Sequence, residues 1–206
     1  MTKPQPAVCH LISDRVNNSP HLDTAKFYWE RLILPGDVAV DATCGNGWDA
    51  LFLAQLPLSA LFALDIQEAA IEKTESLLKK QLSDDALQKV RLFHRSHEDL
   101  DTLPFPVPPR LIVYNLGYLP GGNKSITTQT KTTLASLKKS LALLSKRGAV
   151  SLMCYPGHEE GEKEEAELLQ FAGALPSDQW QVCHHRWINR APRSPTLLWI
   201  ARLENP

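Results

Sequence analysis

Residues 37–56 read DVAVDATCGNGWDALFLAQL, and the order of residue types there decides the fold. An apolar run ends on Asp41, a short loop holding Gly45 and Gly47 follows, and a helical pattern starts after Trp48. Strand, tight glycine loop and helix is how an α/β protein holds a nucleotide-like ligand. Gly45, Gly47 and Ala50 also satisfy the G-x-G-x-x-G/A pattern of dinucleotide-binding proteins, so the loop by itself leaves two ligand classes open. A structural turn with no ligand is the third reading, because glycines are frequent wherever the backbone turns tightly.

Working outward, short apolar runs alternate with helical patterns. Runs 37–43, 61–65, 90–94, 110–116 and 149–155 read as buried strands of a parallel sheet. Helices are expected after Trp48, over 67–82 with Ile71, Leu78 and Leu82 on one face, over 127–146 with Leu134, Leu137, Leu141 and Leu144 at helical spacing, and from Glu159 onward. The last of these is rich in acid in its first turns, as the helix dipole prefers. Two further strand candidates, 181–188 and 196–203, flank a proline-bearing loop too short for a crossover helix, so they should pair antiparallel. The expectation is a doubly wound α/β sheet, mostly parallel with a C-terminal antiparallel strand, in one domain over 1–206. The segment DTLPFPVPP (101–109) reads as a rigid loop, not a domain boundary.

Composition sets bounds on function. The chain has 206 residues, 43% hydrophobic and 22% charged, as ordinary globular proteins do. A formal net charge of -1 supplies no global positive field for a nucleic acid, although a local patch would suffice. The four cysteines, Cys9, Cys44, Cys154 and Cys183, are scattered with no C-x-x-C pair, and three lie in apolar runs. Buried free thiols in a reducing compartment are expected. No Cys/His cluster has metal-ligand spacing, so no metal is expected. The start, MTKPQPAVCHLISDRV, has no apolar core with a cleavage site, and no stretch could span a bilayer. These features predict a cytoplasmic, unanchored protein.

Of three groups of residues at this site, two separate the two ligands. Asp65 ends the second strand, where a carboxylate can take both hydroxyls of a ribose. Nicotinamide dinucleotides and S-adenosylmethionine (SAM) both carry that ribose, so Asp65 does not choose. Asp41 at the strand end and Asp49 in the first helical turn would repel a pyrophosphate but suit a sulfonium and an amino group. The fourth strand then ends in YNLGYLPGG, with Asn115 and Tyr118 at the position where an acceptor would sit. Together these favour SAM. An NAD-dependent oxidoreductase and a non-catalytic SAM-binding module are the rival readings, and N-L-G-Y argues against the latter.

DATCGNGWDALFLAQL, SHEDL (96–100), YNLGYLPGGNKSITT (114–128), YPGHEEGEKE (155–164) and NRAPRSP (189–195) resemble, in order and over nearly the whole chain, the MnmM or YtqB-like class I methyltransferases. Trp48 departs from the pattern, where a smaller or polar residue such as His is expected. The resemblance implies a Rossmann-like sheet and SAM-dependent methylation of the amine of 5-aminomethyl-(2-thio)uridine at the tRNA wobble position; rRNA or a small amine is the alternative acceptor. It also implies that Asp41, Thr43, Gly45, Asn46 and Gly47 surround the methionine part of SAM, with Asp65 and Ile66 at the ribose and Ser96 and His97 beside the adenine. For Asp41 and Thr43 the plainer reading is capping of the loop, and for His97 a solvated histidine.

The chemistry assigns further candidates. Transfer to nitrogen needs a neutral amine whose lone pair faces the methyl group, so acceptors must hold its N–H bonds. Asn115 offers a side-chain oxygen, Leu116 a backbone carbonyl, and Tyr118 a ring for the base or the reacting cation. This resembles in logic the N/D-P-P-Y motif of amine-directed nucleic-acid methyltransferases. His158 is a candidate to accept the departing proton or to touch the substrate. Lys124, Lys131, Asn189, Arg190 and Arg193 are candidates for the anticodon loop of tRNA, against the plainer reading of a solvated polar surface. A homodimer is plausible, but no residue shows it.

Overall fold

The computed structural model describes residues 20–119, 121 and 127–204. The apolar runs become seven strands: β1 (Val38–Asp41), β2 (Ala60–Asp65), β3 (Val90–His94), β4 (Leu111–Asn115), β5 (Ala149–Cys154), β6 (Trp180–His185) and β7 (Thr196–Arg202). They join one sheet in the order β3-β2-β1-β4-β5-β7-β6. The first five are mutually parallel where they pair, while β7 runs antiparallel to both β5 and β6. The hairpin expected at the C-terminus is present. Its second strand inserts between β5 and the first, so β6, not β7, is the edge.

Central strands are buried on both faces and the edge strands β3 and β6 only partly, which is why the former read as unbroken apolar runs. The helices are α1 (Pro20–Leu32), α2 (Trp48–Ala54), α3 (Glu68–Gln81), the single turn α4 (Asp84–Leu87), α5 (Thr130–Leu143) and α6 (Glu159–Gly173), with a 3-10 helix over His97–Thr102. Alternate strand residues face two cores. Ala39, Leu61, Ala63, Val113 and Met153 pack with α1 and α2 through Ala25, Trp29, Ala50 and Leu53. Val40, Phe62, Leu64, Tyr114 and Leu152 face the other side with Leu137 of α5 and Leu168 of α6.

Several expected boundaries move, two of them beside the glycine loop and the turn after β4. The first strand stops at Asp41 because Ala42 and Thr43 turn into the glycine loop. The long helix begins at Thr130, not 127, because Thr127 bridges back to Tyr118. Among the described residues no helix is long and apolar enough to cross a membrane, and no His/Cys/Asp/Glu group is arranged to hold a metal.

Candidate active site

Strand order reverses between β1 and β4, so the loops leaving their carboxyl ends part and open a crevice. The β1 loop is pinned by its backbone. Ala42 N–H donates to the Val113 carbonyl at 2.9 Å, and Cys44 N–H to that of Leu64 at 2.8 Å. Gly45 and Gly47 take φ of +54° and +86°, in the left-handed region that side chains resist. A Cβ on Gly47 would stand 2.9 Å from Thr74 Cα of α3, so helix and loop approach at a distance only glycine allows. Asp65, at the tip of β2, accepts from Gly45 N–H on one oxygen and Gln67 N–H on the other, both at 2.9 Å. One carboxylate thus shapes the loop from the tip of β2. Asn46 lies between the two glycines.

Three carboxylates converge on this loop. Asp41 is only 1% exposed; its Oδ1 accepts from Thr43 N–H at 3.3 Å, and its Oδ2 is buried with no hydrogen-bond partner. Burial, then the Asp49 charge, and then that of Asp65 push the Asp41 carboxyl well above the usual range. Burial also raises Asp49, which the Lys26 charge and the Asn115 hydrogen bond hold down, and it raises Asp65 against its backbone donors. Acids stacked at this cost lower their free energy when a cation arrives.

The end of β4 closes the crevice. Asn115 N–H donates to Thr43 Oγ1 at 2.7 Å, tying β4 to the glycine loop. The Asn115 amide donates to Asp49 Oδ2 at 3.2 Å, and the Tyr155 phenol lies close enough to feel it. Tyr155 follows β5, and burial first, then the Asp49 charge, push its phenol up to about 12. His21, in the first turn of α1, meets the Tyr155 ring edge-on with 5.9 Å between centroids. Tyr155 and His21 were not anticipated. Leu116 is buried, with its N–H donating to the Met153 carbonyl at 3.0 Å. Gly117 turns the chain at φ +100°, and the exposed Tyr118 ring lies 6.2 Å from that of His158. His158 caps α6, its Nδ1 accepting from Gly161 N–H at 3.1 Å, so the neutral ring carries its proton on Nε2.

Residues 61–201 match the family model described as "Putative rRNA methylase". The chain is 37% identical over 191 residues to the chloroplastic tRNA (mnm5s2U34)-methyltransferase of Arabidopsis thaliana, spanning 89% of this chain and 69% of that protein. Among solved structures, a protein of Clostridium thermocellum named "putative rRNA-methylase" is 32% identical with a TM-score of 0.83, covering 89% of this chain and 97% of that one. A Streptococcus mutans protein named "putative methyltransferase", solved with S-adenosylhomocysteine (SAH), is 30% identical with a TM-score of 0.80, covering 93% and 100%. The chain belongs to the MnmM, or YtqB-like, family of class I methyltransferases.

Its cofactor is therefore SAM, and the reading of the glycine loop as an NAD site falls away. The crevice of this methyltransferase fits that cofactor on its own evidence: left-handed glycines admit a close ligand, and buried Asp41 with an unpartnered oxygen suits a cationic one. Beside them Ile66 is 63% exposed next to Asp65, an apolar surface with no intramolecular reason to be bare. Ser96 caps the 3-10 helix, accepting from Glu98 N–H at 3.2 Å. His97 is no solvated histidine. Burial pushes its ring down to about 4, its Nε2 has no hydrogen-bond partner, and it sits edge-on to Tyr114 at 5.9 Å.

The RNA candidates divide. Lys131 is exposed in the first turn of α5, and Asn189 and Arg190 are exposed in the β6–β7 loop, where Arg190 lies 6.0 Å above the Trp187 ring. Arg193 is paired with Glu162 of α6 at 2.9 Å. Lys124 lies outside the described residues. Trp48, the departure from the family pattern, opens α2 with 63% of its surface exposed.

Proposed function

We propose that this methyltransferase converts the 5-aminomethyl group of (2-thio)uridine at the tRNA wobble position to 5-methylaminomethyl. The observation that carries the proposal is the seating of Asn115. Asp49 takes its amide N–H, so the side-chain oxygen is left as an acceptor at the carboxyl end of β4, beside the glycine loop. An acceptor there serves an amine, whose N–H bonds must be held while its lone pair faces the methyl donor. The name of the Arabidopsis relative supplies the same substrate class.

SAM supplies an already activated methyl group, so the protein's task is positioning and selection of the neutral amine. A free alkylamine is mostly protonated at neutral pH, lysine at ~10.4 being the reference. Desolvation in the crevice and the neighbouring sulfonium disfavour that ammonium. Asn115 and the Leu116 carbonyl orient the N–H bonds, and Tyr118 packs on the base. The Tyr155 phenol near Asn115, pushed up to about 12, stays protonated and does not serve as a base. His158 uses Nδ1 to cap α6 and its Nε2 is buried without a partner, which argues against proton acceptance and leaves the ring as a support beside Tyr118. Asp41, Thr43, Gly45, Asn46, Gly47, Asp65, Ile66, Ser96 and His97 hold the cofactor, and Lys131, Asn189, Arg190 and Arg193 face the anticodon loop.

Nucleoside mass spectrometry of tRNA from cells lacking the protein tests the reading. The 5-aminomethyl nucleoside should accumulate and the methylaminomethyl form disappear, and purified enzyme with SAM should restore it. Unchanged wobble nucleosides would sink the proposal.

A further inference from the structure

Glu164 lies in α6, 3% exposed, and belongs to none of the ion pairs among the described residues. A carboxylate so buried needs donors, and two threonines supply them. Thr133 Oγ1 donates to Glu164 Oε1 at 2.6 Å, and Thr128 Oγ1 donates to Oε2 at 2.9 Å. Thr128 has a second partner, since Gly117 N–H donates to the same hydroxyl at 2.8 Å. A backbone N–H only donates, so Thr128 must accept there, and its single hydroxyl proton is directed to Glu164. The chain of bonds Gly117 to Thr128 to Glu164 therefore has one proton direction, and a carboxylate is its natural terminus.

The turn so held is the one after Asn115. Gly117 takes φ +100°, and its carbonyl accepts Thr128 N–H at 3.0 Å, closing a reciprocal pair. One helical turn earlier, Glu160 accepts Thr130 N–H at 3.3 Å and Thr130 Oγ1 at 3.0 Å. It thereby supplies from α6 the cap that Gln129, at the start of α5, does not provide.

We propose that Glu164 is a positioning residue of the methyl-transfer site, fixing through Thr128 the turn that presents Asn115, Leu116 and Tyr118. This rests on the reading of N-L-G-Y as the acceptor site. Thr133 provides the internal control, because it bonds the same carboxylate but does not touch the turn.

The test pairs single-turnover methylation of tRNA bearing 5-aminomethyluridine with amide hydrogen exchange over residues 115–119, which needs no RNA. Thr128→Val should speed exchange in that segment and slow methyl transfer by up to about 100-fold, the scale of a misplacement near 1 Å, with SAM affinity unchanged. Thr128→Ser should restore both readouts. Glu164→Leu, which removes the acceptor for the Thr128 proton, should speed exchange in the same segment and slow transfer in the same sense. Thr133→Val should lower thermal stability yet keep exchange and transfer near the parental values. The proposal is overturned if Thr128→Val transfers at the parental rate, if Thr133→Val slows transfer equally, or if exchange at Gly117 is unaltered. Failure of the parental enzyme to methylate this tRNA would overturn the substrate reading instead, and the exchange arm would still decide whether Glu164 holds the turn.

Discussion

Asn115 donates its side-chain N–H to Asp49 Oδ2 at 3.2 Å, joining the end of β4 to the first turn of α2. The bond fixes which way the amide faces, and it makes the two residues one unit. Asn115→Ala should therefore slow single-turnover methyl transfer about 100- to 1,000-fold, or ~2.7–4 kcal/mol, the scale for removing one well-placed polar group. SAM affinity should change little, since the glycine loop and Asp65 remain. A loss explained wholly by weaker SAM binding would remove Asn115 from the acceptor site.

Asn115→Asp is more telling because it places a second carboxyl against Asp49. Like charges at that distance retain a shared proton above the usual carboxylate range. In that protonated form the new carboxyl donates to Asp49 and keeps a carbonyl oxygen, imitating asparagine. Relative to the parent, activity should thus be highest at the acidic end and fall as the pair loses its proton. A ratio of variant to parental rates that is flat or rises with pH would contradict the geometry.

Asp65 is engaged twice over, by Gly45 and Gln67 N–H, at the tip of β2 where we propose that it meets the ribose of SAM. Charged hydrogen bonds are worth about 1.5–3 kcal/mol, so Asp65→Ala should weaken SAM binding by about 10- to 150-fold. Calorimetric titration with SAM checks this; parental affinity would exclude Asp65 from the cofactor site.

The sheet and the glycine loop were legible because each is written locally. Buried parallel strands show as apolar runs, and a left-handed turn shows as glycine. What escaped depends on partners distant in sequence. Helix α1 and the residue after it do carry Ala25, Trp29 and Ile33 at helical spacing, but polar residues dilute the stripe. Tyr155 reads as the last residue of an apolar strand, and only the pairing of β4 with β5 brings it to Asn115. Glu164 reads as one more acid favoured by the helix dipole until Thr128 and Thr133 are seen beneath it. The hairpin fixed the antiparallel pairing of β6 and β7 but not which strand would lie outermost.

Arg193 is held by Glu162 at 2.9 Å on an exposed surface, so its charge is shared before any RNA arrives. Glu162→Gln should free the guanidinium and strengthen tRNA binding at low salt. Arg193→Glu should weaken binding and flatten the salt slope by about one unit if one phosphate contact is lost. Fluorescence titrations with tRNA over a salt series measure both, and identical slopes for parent and Arg193→Glu would move the RNA-facing surface elsewhere.

His97 supplies a prediction about stability. Burial lowers its ring to about 4, against a value near 6.5 in the unfolded chain. Between those values the unfolded state binds the proton and the native state does not, so stability due to His97 rises with pH. Its contribution is complete above about pH 6.5 and is withdrawn as pH falls toward 4, by up to about 3 kcal/mol. Asp41, Asp49, Asp65 and Glu164 oppose it, because their raised carboxyls hold protons longer in the native state. The net profile of the parent is therefore flatter than His97 alone would give. Comparison with His97→Gln isolates the histidine: the difference in denaturation free energy between parent and variant should change through that window and level off above it. Denaturant titrations at several pH values measure it, and a difference independent of pH would show that the ring takes up its proton alike in the folded and unfolded chain.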